Sequence, residues 1–147
     1  MITITSREQA YLALFNHIQQ APSMSGLVKT FTRRLKHWAD VGPEDQPALY
    51  MEQTGEQAVP ASRQPTKNVL EINLWLYLQT NEGEVGPIIN PLLDGIEKSL
   101  TPSNDGNYTQ TLGGLVHHCW IEGQTQIFEG DLGAEAVAIV PVKILVT

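Results

Sequence analysis

Among 147 residues the chain has one cysteine, Cys119. No internal disulfide can form, and a reducing compartment suits such a protein. Basic residues are also scarce: nine lysines and arginines stand against sixteen acidic residues, a net charge of -7. That balance disfavours a surface coated for nucleic-acid binding unless the basic residues cluster, because most of the surface repels phosphate. Long apolar runs are missing. The longest, "AVAIVPVKILV" at residues 136–146, is too short to span a bilayer and contains Pro141 and Lys143. The opening "MITITSREQA" lacks the basic start and apolar core of a secretory signal. A soluble intracellular protein with no membrane association is expected. Catalytic signatures are absent too: no P-loop, G-x-G-x-x-G, G-x-S-x-G or H-E-x-x-H occurs. Gly113-Gly114 precedes a strand pattern rather than a helix, so it has no phosphate-cradle context.

What is present is a globular composition, 41% hydrophobic and 17% charged. The length suits one domain, residues 1–147, large enough to bury roughly two-thirds of the surface it exposes unfolded. Ser6 is a good N-cap, with Gln9 placed for a capping box, and Tyr11, Leu14, Phe15 and Ile18 form a helical stripe behind it. "LVKTFTRRLKHW" (27–38) alternates loosely and predicts a strand polar on both faces, suited to guard a sheet edge. "ALYMEQ" (48–53) predicts a short strand, and "TGEQAVPASRQPT" (54–66) a long connection.

"NVLEINLWLYLQT" (68–80) carries the strongest signal. Leu70, Ile72, Leu74, Leu76 and Leu78 share one face without interruption. Trp75 and Tyr77 on the other face are expected to pack in the core. Asn90 as N-cap and Pro91 at the first helical position predict a helix over 91–100, with an alternative start at Pro87. Its apolar side is Leu92, Leu93, Ile96 and Leu100. A polar loop follows, then a strand over 115–122, a turn region "QTQIFEGDLGAE" able to extend both flanking strands, and a last strand over 136–146. Pro141 cannot donate to a ladder, which predicts an edge position or a bulge there. The order implies an α+β fold: a mostly antiparallel sheet of four to five strands packed against two helices.

"GGLVHHCW" (113–120) looks reactive, because it places two histidines and the only thiol side by side. Alternation on a strand puts His117 and Cys119 on one face and His118 on the other. At most two of the three serve one metal, with His17 and His37 the only further histidines, so no metal site is expected. A small enzyme using a His117/Cys119 pair is the alternative reading. No cationic cluster or helix N-terminus lies nearby in sequence to lower the thiol pKa, so a buried thiol beside a partly buried imidazole is preferred.

Five stretches, "FTRRLKHWADVGPEDQPALYMEQ", "INLWLYLQT", "INPLLDGIEKSL", "QTLGGLVHHCWIEG" and "AVAIVPVKILV", occur in an order that resembles the tail terminator proteins of long-tailed bacteriophages and prophages, the lambda minor tail protein U group. The resemblance spans about Leu27 to Val146. It implies a small α+β protein of the virion tail, assembled in the bacterial cytoplasm, with no enzymatic activity, catalytic residue or cofactor. Its members form a hexameric ring that caps the tail tube, stops elongation and offers the surface for joining the head. Similar rings act as head-tail connectors or neck adaptors, an alternative that the residues leave open. The implied partners are further copies of the chain, the tail tube protein and head-tail connector proteins, with DNA passing through the lumen without specific binding. Charge fits this picture. Residues 1–36 hold Arg7, Lys29, Arg33, Arg34 and Lys36 against Glu8 alone, and the remainder is acidic. Opposite charges on different surfaces favour head-to-tail contact. Six copies of a chain with charge -7 carry -42, which keeps DNA sliding rather than gripped. From charge and loop placement, the expected subunit or tail-tube contacts are Arg33, Arg34, Lys36, Glu56, Arg63, Lys67, Asp105 and Tyr108.

Overall fold

A computed structural model describes residues 5–60, 66–79, 84–102, 108–129 and 135–147. Helix α1 (Arg7–Gln20) begins with the capping box. The Ser6 hydroxyl accepts from the Gln9 backbone N–H at 3.1 Å, and the Gln9 side chain accepts from the Ser6 N–H at 2.8 Å. Two donors left over at the helix start are thereby satisfied. Ala10, Tyr11, Leu14 and Ile18 form its buried stripe. Phe15 lies at the margin, edge-on to Phe31 with ring centroids 4.8 Å apart.

The sheet has six strands: β1 (Thr30–Thr32), β2 (Ala48–Val59), β3 (Lys67–Gln79), β4 (His118–Ile121), β5 (Gln126–Glu129) and β6 (Glu135–Val146). Their order is β1-β2-β3-β6-β4, and β5 pairs with β6 on the same side as β4. Among the described residues only the β1–β2 pair is parallel. The α+β fold expected from the pattern is observed. The strand beyond the expected four to five is β5, hidden in "QTQIFEGDLGAE", where Gln126–Glu129 pairs with Ala136–Ile139. Helix α2 (Gly86–Ser99) joins β3 to β4 and crosses over β6, as its place between two non-adjacent strands requires.

Both helices lie on the leucine face. Leu70, Ile72, Leu74, Leu76 and Leu78 of β3 meet Val140, Val142 and Ile144 of β6, with Leu14, Ile18, Leu92 and Ile96 above them. The opposite face carries a smaller cluster of Val41, Ala48, Tyr50, Tyr77 and Val137. Tyr77 belongs to it as expected, and its hydroxyl donates to the Lys36 carbonyl at 2.6 Å. Trp75 is half-buried against this cluster, and its indole N–H donates to Glu52 at 3.2 Å.

Several boundaries differ from the sequence pattern, each for a local reason. The strand expected over 27–38 is paired only at Thr30–Thr32. Its alternating side chains are mostly polar on both faces, so no burial holds the later residues to the edge, and Arg33 turns away to reach Glu8. Strand β2 runs to Val59 instead of ending at residue 53, continuing past a bulge between Gln53 and Gly55. Its side chains from Gln53 onward are exposed, so backbone pairing with β3 extends it without an apolar signature. Helix α2 starts at Gly86, near the alternative start at Pro87, and Pro91 lies inside it. The extra turn buries Ile89, which offsets the hydrogen bond that Pro91 cannot donate. Strand β4 begins at His118 because the N–H groups of Gly114, Leu115 and Val116 all converge on the Thr111 carbonyl at 3.1 Å, curling the chain first.

Pro141 sits in a central strand, not at an edge. Strand β6 pairs with β3 along one side, while on the other side β5 ends opposite Ile139 and β4 pairs with Val142–Leu145. The Pro141 carbonyl accepts from the Glu122 N–H at 3.3 Å, so its nitrogen also faces that side, where the two short strands leave a gap. The missing donor therefore interrupts no pair with β3.

Gly95 marks the closest approach in the helical layer. A Cβ there would lie 2.7 Å from the Met24 sulfur and 2.7 Å from the Ser23 carbonyl oxygen, and the Ser23 hydroxyl donates to the Gly95 carbonyl at 2.7 Å. In a free helix interior, Gly→Ala stabilises by up to about 1 kcal/mol. Here the sign reverses: Gly95→Ala is expected to destabilise by about 1–3 kcal/mol through overpacking. Urea unfolding of the two proteins checks this, and an unchanged or raised midpoint would contradict it.

Candidate interaction surfaces

The reactive-looking stretch does not assemble a nucleophile. Cys119 is fully buried under the helices, and burial pushes its thiol pKa up to about 12. A thiol in that state carries almost no thiolate at neutral pH. His117 precedes the strand and is exposed; its Nε2 bonds the Thr147 hydroxyl. His118 faces away from Cys119, stacks on Trp120 with centroids 5.0 Å apart, and its Nδ1 accepts from the Gln110 N–H at 3.1 Å. Among the described residues no group of three or more His, Cys, Asp or Glu side chains is placed to hold a metal ion. Among the described residues no helix is long and apolar enough to cross a membrane.

The residues expected at contacts fall into three places. Around the first turn of α1, adjacent residues reach in opposite directions. Arg7 donates to Glu56 on β2 at 2.8 and 3.0 Å, and Glu8 accepts from Arg33 at 2.5 and 2.9 Å. The hydrogen bonds from Arg33 hold the Glu8 carboxyl below its usual pKa. Arg33 and Glu56 are thus partnered within the chain. Exposed ion pairs of this kind stabilise weakly. Arg34 and Lys36 are exposed, continue the same turn beyond β1, and make no ion pair among the described residues. Lys67 opens β3 opposite Val59, at the far end of the β2–β3 ladder.

Tyr108 lies elsewhere, in the segment leading to β4, and is 75% exposed with φ at 55°. A non-glycine residue in the left-handed region is uncommon. Gln110 braces the segment by donating to the Thr101 carbonyl at 2.9 Å and accepting from the Leu112 N–H at 3.1 Å. Arg63 and Asp105 lie outside the described residues.

Sequence reasoning missed the surface at β5. Ile127 and Phe128 are adjacent, point to opposite faces, and are 44% and 39% exposed. Beside them Leu93, Ile121, Ile127 and Val140 line a groove of about 440 Å³, with Glu97 and Thr125 at its rim. An isoleucine-phenylalanine pair in a stretch otherwise composed as a turn was the available signal. Nearby, Lys143 and the Trp120 indole hydrogen-bond Glu122 at 2.6 and 3.1 Å and hold its carboxyl below the usual range.

No protein-family model matches the chain, and no curated protein matches it either. Among solved structures, a chain from the virion of a native gene transfer agent particle is similar over 92% of this chain and 92% of its own, with a TM-score of 0.58 and 11% identity. At that identity the likeness is one of fold.

Proposed function

We propose that this chain is a structural component of a virus-like particle, acting as a tail terminator whose copies close into a ring at the end of the tail tube. The observation that carries this reading is the full-length fold likeness to a chain of a gene transfer agent virion, covering 92% of both chains. The resemblance of five stretches between about Leu27 and Val146 to tail terminators supports the same reading. The ring stops tube elongation, presents the surface to which connector proteins join the head, and surrounds a lumen through which DNA passes unbound.

Two physical features support the reading. The strands at the two lateral edges of the sheet, β1 on one side and β4 with β5 on the other, are different surfaces, as a closed heterologous assembly needs. Cys119 is buried and protonated, which removes the nucleophile from the competing enzymatic account. The test is electron microscopy of isolated tails incubated with the purified chain. A ring of density at one end of each tube, near 97 kDa if it contains six chains of 16.2 kDa, is expected. Tubes that never acquire the protein at either end would overturn the proposal.

A further inference from the structure

We infer that the groove beside β5 is the acceptor for the turn that follows β1 in a second copy of this chain. This rests on the ring reading above and names the surfaces that would form the ring contact.

The acceptor combines apolar area with unbalanced acid. Ile127 and Leu93 stand at the groove, Val140 and Ile121 form its inner side, and Glu97 lies on its rim. Glu129 on β5 and Asp94 one turn before Glu97 on α2 are also exposed. None of the three carboxylates makes an ion pair among the described residues, and Lys98 is the only basic residue of α2. Strand β5 has no neighbour on its outer side among the described residues. Isolated apolar residues at a surface need no explanation, but an apolar groove that includes the exposed Ile127 of an open strand does.

The donor sits at the opposite edge of the sheet and carries the complementary pattern. Arg34 and Lys36 are exposed, flank the half-buried Leu35, and have no ion-pair partner among the described residues. Glu8 is already occupied by Arg33. Asp40, Glu44 and Asp45 follow in the 3-10 turns around Val41, which packs on the sheet face away from the helices. The turn thus offers two bases, one on either side of Leu35, which itself packs on the cluster around Val41 and Tyr77, and the groove offers apolar area beside three acids. Because donor and acceptor lie at opposite edges, each copy offers both and meets two neighbours, so the contact is head-to-tail and cannot be satisfied by a copy facing itself. Complementary charge of this kind fixes partner and register. The complement is internal to one chain, which is why the occupant is a second copy.

Two charge-reversed chains test this. Arg34→Glu with Lys36→Glu makes both edges acidic; Glu97→Lys with Glu129→Lys makes both basic. Sedimentation velocity of the full chain is run from micromolar to millimolar concentration, in low and high salt. The unaltered chain is expected to self-associate, less so at high salt. Each reversed chain alone is expected to lose association more than tenfold, and an equimolar mixture of the two to recover it, because the mixture restores opposite charges at every contact. Recovery on mixing also excludes misfolding as the cause of the loss. If the reversed chains associate as the unaltered one does, or if mixing restores nothing, the assigned surfaces are wrong while the ring reading stands. An unaltered chain that remains monomeric throughout overturns both.

Discussion

Leu74→Ala is expected to lower stability by about 3 kcal/mol, while Val69→Ala on the same strand costs less than about 1 kcal/mol. Leu74 is fully buried, paired with Met51 on β2 and Val140 on β6, both themselves at 2% exposure. Removing its side chain opens a cavity between three strands and the helical layer, where close packing leaves little room to collapse. Val69 lies on the opposite face and is half-exposed, so water fills the space its methyl groups leave. For a chain of this length each kcal/mol moves Tm by roughly 3 °C, so the two variants should differ by roughly 6 °C or more. Thermal unfolding followed by circular dichroism reads this difference directly. Equal losses at the two positions would mean that the leucine face is not the core.

Raising the pH should destabilise the fold steeply above pH 9. Burial pushes the Cys119 thiol from an ordinary 9.0 up to about 12, and pushes the Tyr77 hydroxyl from 10.0 to about 12. Both groups are favoured in their neutral form by the folded state. Their contribution is therefore intact below the unfolded pKa of each and is lost as pH rises toward the folded value. Each unit of separation corresponds to about 1.4 kcal/mol. By pH 11 the thiol alone should withdraw roughly 2–3 kcal/mol, with about 1 kcal/mol more from Tyr77. Urea unfolding at pH 7.5, 9 and 11 checks the slope. Cys119→Ala should flatten it, because alanine has nothing to titrate. An unchanged slope in that variant would show that the thiol reaches water in the native state.

What could be read from the residues followed how strongly burial patterned them. Strand β3 announces itself because one face is an unbroken run of Leu and Ile, and the capping box of α1 is a purely local chemistry of Ser6 and Gln9. The outer half of β2 was illegible for the opposite reason. Residues 53–59 are held by backbone bonds to β3 while their side chains face water, and composition alone cannot separate such a segment from a loop. Pro141 misleads because an edge position or a bulge was inferred from a missing donor, whereas its nitrogen faces a gap between two short strands beside a central strand. At the candidate surfaces, charge and loop placement singled out Arg33, Arg34, Lys36 and Glu56 alike, and could not show that Arg33 and Glu56 are engaged by Glu8 and Arg7, partners more than twenty positions away in the chain. The β5 groove needs α2 and β4 beside it, so it exists only once the crossover is made.

The most direct measurement of the account is the length distribution of tails assembled with and without this protein, taken from electron micrographs of the particles. With the protein present, tails of one length joined to heads are expected. Without it, tubes should run on to many lengths and stay headless. Tails of normal length that join heads in its absence would contradict the claim that this chain ends the tube.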